Sequence, residues 1–344
     1  MSRTFFFAAS IGLLLLTACN RSPAEQQGRH APDASYYDNS SHPDAWSGGV
    51  RKITITTPKG PHQVWIKRVG NNPKLKLLLL AGGPGFSHAY LEVMDSYLPA
   101  EGVEYYHYDQ LETGESDKPN DPDLWTLPRY VDEIDQVRRA IGGTKDNFCL
   151  LGHSWGGVLA MEYALAHQDQ LKCLIISNMM ASVPAYNDYA KNVLEPQMNQ
   201  AALKEILDME ASGKTEQPHY MEVLLPNWYE QHILRRPFAE WPEPVTRDFP
   251  RMNRTFYATM QGPSEMGASG RLLNWDRFAD LKRITVPTLV ISGKYDTMDP
   301  HYMAAMAKQL PHGELAATNG SHMDMYDDQP TYFSKLIAFL KKFK

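Results

Sequence analysis

The amino-acid sequence predicts an α/β fold: a mostly parallel sheet with flanking helices, interrupted by an inserted helical cap. Three observations carry this expectation. Strand-like apolar runs alternate with helix-like runs in the first and last parts of the chain, the pattern of a parallel sheet whose crossovers are helices. Two of the runs, KLLLLA at 76–81 and FCLLG at 148–152, are continuously apolar, as strands covered on both faces must be. The alternation lapses between residues 181 and 280, where Pro, Met, Trp and long polar helical stretches such as NQAALKEILDMEASG take over.

The chain has 344 residues and opens with a segment that does not belong to this fold. Arg3 precedes an apolar run from Phe5 to Leu16. That is the shape of a secretory signal peptide, short for a permanent membrane span. The run ends Leu16-Thr17-Ala18-Cys19, which resembles the bacterial lipobox, in which the cysteine becomes a lipid-bearing N-terminus. Residues 1–18 therefore read as a lipoprotein signal peptide and Cys19 as the lipidation site. The expected location is the periplasmic or outer surface of a bacterial membrane. Each buried acyl methylene contributes about 0.8 kcal/mol, so several chains together hold a soluble domain in place. Residues 19–45, rich in Ser, Pro, Asp and Asn, read as a flexible tether.

The folded part is expected in two pieces of core, 46–180 and 281–344, around the cap at 181–280. RKITIT and HQVWIKRV show the alternation of antiparallel edge strands, and VEYYHYD follows KLLLLA as a further strand. Val131, Ile134, Val137 and Ile141 recur at helical spacing before Gly142-Gly143. KCLIIS, VPTLVISG and GELAAT supply the later strands, and TYFSKLIAFLKKF a last helix. Cys149 and Cys173 lie in apolar strand runs and read as buried thiols, with one disulfide as the alternative.

Composition excludes several functions. The net charge is −6, or −7 once Arg3 leaves with the signal peptide, and no Lys/Arg cluster stands out, so nucleic acid is not an expected partner. There is neither a CxxC pair nor an HExxH, so no metal site is expected.

Gly152-His153-Ser154-Trp155-Gly156 fits G-x-S-x-G between a strand and a helix. A serine on such a turn projects above the sheet, and the following helix aims backbone N–H groups at the same spot. A hydroxyl needs a base, and this arrangement supplies carboxylate and histidine later, in the order Ser, Asp, His. Asp296 and Asp299 follow the strand VPTLVISG, and His322 follows GELAAT; Asp296 lies nearer its strand end. The expected triad is Ser154, His322 and Asp296. The loop Gly82-Gly83-Pro84-Gly85 should supply a second oxyanion donor. Proline has no N–H, so Gly83 is the candidate, paired with the N–H of Trp155. Phe86 and Trp155 are the candidate apolar walls beside this loop.

With GGPG at 82–85, YDQLETGESDKP at 108–119, GHSWGG at 152–157, MQGPSE at 260–265, GKYD at 293–296 and GSHMDMYDDQ at 320–329, the sequence resembles the proline iminopeptidase (prolyl aminopeptidase) family of α/β-hydrolases. The resemblance implies a helical cap over a serine-hydrolase site, no cofactor, and release of an N-terminal residue, preferentially proline, from short peptides with a free N-terminus. It also implies that cap glutamates hold the substrate amine; Glu265 matches one such position, and Glu230 is the candidate for the other. The cap carries 14 Asp/Glu against 10 Lys/Arg, so charge alone does not select them. Ala81 stands where the family often has His, and Leu111–Ser116 departs from its usual glycine-rich stretch. Two other readings share the chain: an esterase or amidase with the same triad, and an inactive lipid-anchored binding protein.

Overall fold

The computed structural model describes residues 49–344. The expected signal peptide, Cys19 and the tether lie outside the described residues.

Eight strands form one sheet in the order β1-β2-β4-β3-β5-β6-β7-β8. They are β1 (Val50–Thr57), β2 (Gly60–Val69), β3 (Lys76–Leu80), β4 (Glu104–Asp109), β5 (Phe148–His153), β6 (Cys173–Ser177), β7 (Thr288–Gly293) and β8 (Gly313–Thr318). The two strands of alternating pattern, β1 and β2, pair antiparallel at one edge, and β2 pairs antiparallel with β4. From β4 to β8 every pairing is parallel. Between β4 and β5 runs α1 (Leu127–Ala140), and between β5 and β6 runs α2 (Trp155–His167). The segment between β6 and β7 is built of helices: α3 (Val183–Tyr189), α4 (Gln200–Ala211), α5 (Pro218–Leu224), a π-helical stretch at Leu225–Ile233, α6 (Glu243–Thr246) and α7 (Arg254–Met260). After β7 come α8 (Pro300–Gln309), α9 (Asp324–Asp327) and α10 (Gln329–Leu340).

The unbroken apolar strands are explained by cover on both faces. Leu78, Leu80, Leu150, Leu174 and Ile176 face a core shared with α1, α2 and α8. Leu77, Leu79, Leu151, Ile175 and Ile291 face a second core closed by α10. Each such side chain, fully removed from water, contributes roughly 1.5–3 kcal/mol. Local signals set the helix starts. Asn199 accepts from the N–H groups of Ala201 and Ala202 to begin α4, and Asp299 accepts from His301 N–H to begin α8.

One expectation is corrected. Cys149 and Cys173 are joined in a disulfide rather than held as two thiols. The cause is strand order: β5 and β6 are neighbours, Cys149 pairs with Cys173 in register, and their Cα atoms are 4.7 Å apart, within disulfide reach.

The glycines of G-x-S-x-G are demanded by contact. A Cβ on Gly152 would overlap the carbonyl of Gly156, and one on Gly156 would overlap the carbonyl of Leu80 on β3. The start of α2 lies directly on the backbone of two strands. Gly156→Ala is expected to cost about 3 kcal/mol or more, because backbone must yield. Urea unfolding reads this as a lower midpoint at unchanged slope; an unchanged midpoint contradicts the contact.

Candidate active site

The site assembles where β3, β5, β6, β7 and β8 end, the side on which open parallel sheets place their ligands. Ser154 terminates β5 in a left-handed conformation, with φ 55° and ψ −125°. For a residue with a side chain this costs about 1–3 kcal/mol. It is held there from both sides: Ser154 N–H donates to the Ser177 carbonyl (3.0 Å), and its own carbonyl accepts from Gly157 N–H (2.6 Å).

His322, in the loop after β8, places Nδ1 2.8 Å from Oδ1 of Asp296, in the loop after β7. Asp296 is fully buried and well supplied with donors. Met298 N–H (3.1 Å) also reaches Oδ1, and Asn178 Nδ2 (2.9 Å) reaches Oδ2. Asp296 thus holds the Nδ1–H tautomer of His322 and leaves Nε2 as an acceptor. Burial works against a charge on the His322 ring, but the charge and hydrogen bond of Asp296 outweigh it, and the net effect raises the ring's proton affinity. Asp299, the alternative carboxylate, is the N-cap of α8.

The loop after β3 closes the other side. Gly82 lies so near Ser154 that an added Cβ would be 2.9 Å from the serine Cβ. Gln110 ties this loop to the turn. Its Nε2 donates to the Ala81 carbonyl (3.1 Å) and its Oε1 accepts from the Trp155 indole (2.9 Å). Gly82 N–H is engaged with the Tyr90 hydroxyl at 2.6 Å. The next amide is that of Gly83. Trp155 N–H is the first amide of α2, one of those a helix leaves without an internal partner.

Gly83, Ser154 and His322 line a cavity of about 400 Å³ together with residues of the helical segment, a size suited to a small ligand. Glu265 faces it. Its Oε1 accepts from the Tyr257 hydroxyl (2.6 Å), and its carbonyl accepts from the Tyr186 hydroxyl (2.6 Å) and the Trp228 indole (3.0 Å). Burial pushes the Glu265 carboxyl up, partly offset by His322 and by Tyr257. Glu210, at the end of α4, lines the same cavity and accepts from the hydroxyls of Tyr220 (2.5 Å) and Ser264 (3.2 Å). Ser264 directly precedes Glu265, so one turn serves both carboxylates.

The structure therefore brings Ser154, His322, Asp296, Gly83, the Trp155 amide and Glu265 together. It does not bring Glu230 to them. Glu230 is absent from the cavity wall, and its Oε1 accepts from the Phe238 N–H at 2.7 Å. Trp155 does not line this cavity, and its ring packs on Tyr130 and Phe256, but it borders a smaller pocket next to it together with Gly83, Ser154 and Glu265. Phe86 does line the larger cavity, edge-on to Phe249. Glu210, Gln110 and Asn178 are additions. The last two immediately follow strands β4 and β6, a position that signals the site end of a parallel sheet.

A parallel sheet with a strained serine between strand and helix, facing a buried His–Asp pair, defines the α/β-hydrolase class. A family model described as the alpha/beta hydrolase fold matches residues 77–329. The proline iminopeptidase of Flavobacterium johnsoniae is 51% identical over 84% of this chain and 97% of its own length. That of Chitinophaga pinensis is 50% identical over 84% of this chain and 97% of its own. The crystal structure of a proline iminopeptidase from Mycobacterium smegmatis superposes with a TM-score of 0.73 at 28% identity, covering 85% of this chain and 98% of that one. The chain belongs to the proline iminopeptidase family of α/β-hydrolases, and is a serine hydrolase of the prolyl aminopeptidase type.

Asp296→Asn removes the charge that raises His322 while the burial that lowers it stays. Followed by NMR, the His322 ring of D296N titrates at lower pH than that of the parent chain; an equal midpoint would show that Asp296 does not set it.

Proposed function

We propose that this protein releases N-terminal residues, preferentially proline, from short peptides, through a triad of Ser154, His322 and Asp296 and an acyl-enzyme. The observation that carries the reading is the shared cavity, in which Ser154 and His322 face two glutamates, Glu265 and Glu210, across a space for one small substrate.

An enzyme that acts at the chain start must recognise a protonated amine. Carboxylates in a partly desolvated wall do so by charge-assisted hydrogen bonds. The buried position that disfavours an ionised Glu265 also strengthens its pairing with an ammonium once that is bound. Fixing the amine fixes the first carbonyl against Ser154. Phe86 and Phe249 offer apolar surface to the pyrrolidine ring.

In the proposed reaction, His322 Nε2 takes the Ser154 proton as Oγ bonds to the carbonyl carbon. The N–H groups of Gly83 and Trp155 receive the oxyanion. His322 returns the proton to the departing amine as the C–N bond breaks. Water, deprotonated by the same imidazole, then attacks the ester, and His322 returns that proton to Ser154 Oγ as the acyl C–O bond breaks. Because the neutral ring is the base, and Asp296 raises its proton affinity, activity is lost on acidification, with the acid limb of kcat/KM above the ordinary histidine value of about 6.5.

The test compares a proline arylamide with a free amine, its N-acetyl form, an alanine arylamide and a simple ester. Proline with a free amine should lead, and acetylation should abolish cleavage. Glu265→Gln and Glu210→Gln should each lower kcat/KM by about tenfold or more, the loss of a charged hydrogen bond. Equal cleavage of the acetylated compound or the ester would replace this reading with an esterase or amidase.

The exported, lipid-anchored form belongs to the same proposal and is supported by Leu16–Cys19. Cys19→Ser should move the protein from the membrane to the soluble fraction of the producing cell; continued sedimentation with membranes would remove the anchor.

A further inference from the structure

We propose that Tyr90 and His153 are positioning residues for this reaction, forming one hydrogen-bonded strut that joins the oxyanion loop to the main chain of His322. The inference rests on the roles given above to Ser154, His322 and Gly83.

His153 is the variable residue before the serine in G-x-S-x-G, and no step of the reaction uses it. Its ring is buried. Nε2 lies 2.8 Å from the carbonyl oxygen of His322. A carbonyl only accepts, so Nε2 carries a proton. Nδ1 lies 2.9 Å from the Tyr90 hydroxyl. In a neutral ring protonated at Nε2, Nδ1 accepts, so Tyr90 O–H is the donor. The Tyr90 oxygen in turn accepts Gly82 N–H at 2.6 Å. Gly82 N–H thus donates to Tyr90, Tyr90 to His153, and His153 to the backbone of His322. Burial, followed by the nearby His322, pushes the His153 ring down to about 3. The ring stays neutral at working pH, and its two partners select one tautomer.

Each end of the strut lies on a working part of the site. Gly82 is where the oxyanion loop touches the nucleophile: an added Cβ would lie 2.9 Å from Ser154 Cβ and 3.1 Å from the Tyr90 oxygen. Occupation of Gly82 N–H by Tyr90 leaves the next amide, Gly83, for the oxyanion. The far end holds the carbonyl of His322, whose ring centroid is 5.0 Å from that of His153. Tyr90 is itself fixed, since Tyr326 O–H donates to its carbonyl at 2.7 Å. Both rings border the cavity. Both His153 nitrogens are nevertheless committed within the strut, as is the Tyr90 proton, which makes these residues positioning rather than catalytic. The neutral ring also keeps a second positive charge away from His322 when it takes the serine proton.

The experiment compares Tyr90→Phe, His153→Phe, the double variant, His153→Gln, Ser154→Ala and, as a remote hydroxyl deletion, Tyr163→Phe, all on the proline arylamide. Misplacing reacting groups by about 1 Å costs on the order of 100-fold. Y90F and H153F should therefore lower kcat by about 10- to 100-fold at nearly unchanged KM. The acid limb of the pH profile should stay in place, because the His322–Asp296 pair is untouched. The double variant should lose no more than the worse single, since one broken strut cannot be broken twice. H153Q, whose amide can still donate to the His322 carbonyl, should recover part of the H153F loss, and Y163F should match the parent. Circular dichroism and thermal unfolding confirm folding; if H153F does not fold, Y90F/H153Q supplies the double. Full activity of Y90F, or losses that multiply in the double, overturns the strut. Turnover by S154A overturns the triad instead, so the two failures are distinguishable.

Discussion

The site depends on one close approach, the seating of the first turn of α2 on the backbones of β3 and β5. Gly152 and Gly156 are the residues at that contact, and neither has room for a Cβ. With the helix so near, the chain must pass from strand to helix at one residue, between His153 at the end of β5 and Trp155 at the start of α2, and Ser154 takes the left-handed conformation that results. The strain is sustained because the surrounding backbone over-determines it, as happens at functional sites. The same seating places the Trp155 amide beside the serine and brings Gly82 against its Cβ. The positions of Ser154, of the Trp155 amide and of the Gly82–Gly85 loop are consequences of one packing contact rather than three separate placements.

Much of this was legible in the sequence. All eight strands correspond to runs read from sequence pattern: β3, β5, β6 and β7 are predominantly apolar because both their faces are covered, while β1 and β2 alternate at the sheet edge. Ser154, Asp296 and His322 could be picked out because each follows a strand in a loop, and a parallel sheet gathers such loops at one end. Asp299 looked equally acidic, but in the structure its carboxylate begins α8.

What pattern could not supply is adjacency and phase. The cysteine pairing follows from β5 and β6 being neighbours in register, and strand order is not written in local composition. Glu230 misled for a different reason. The resemblance offered it with no positional signal of its own; in the π-helical stretch Leu225–Ile233 it is Tyr229 and Ile233 that line the cavity, while the Glu230 carboxylate is bonded to the Phe238 amide. Glu210 lies on a regular helix but is 55 residues from Glu265, joined to it through Ser264. Among 14 acidic residues of the cap, no local signal marks it. Trp155 shows the same limit, since its ring packs into the core and borders a small pocket beside Gly83, Ser154 and Glu265 rather than the cavity that Glu210 lines.

The helical segment is more than a cover. The amides of His322 and Met323 donate to the carbonyls of His232 and Ile233 at 2.8 and 2.9 Å, and Ser321 Oγ donates to Ile233 as well (2.9 Å). His322 is thus held from the core side by Asp296 and His153 and from the cap side by the end of the π-helical stretch. That stretch also carries Trp228, which bonds the Glu265 carbonyl. The residues proposed to read the substrate amine and the residue proposed to move the proton therefore share one frame. A displacement of the cap large enough to move Glu265 would also move His322, so in the proposed reaction selectivity for a chain start and catalytic rate are mechanically tied. An esterase needs no such tie, because its substrate presents no charge to be measured against the serine. The investment of backbone hydrogen bonds between cap and histidine loop makes physical sense for an enzyme that must fix the distance from an ammonium group to the carbonyl it attacks.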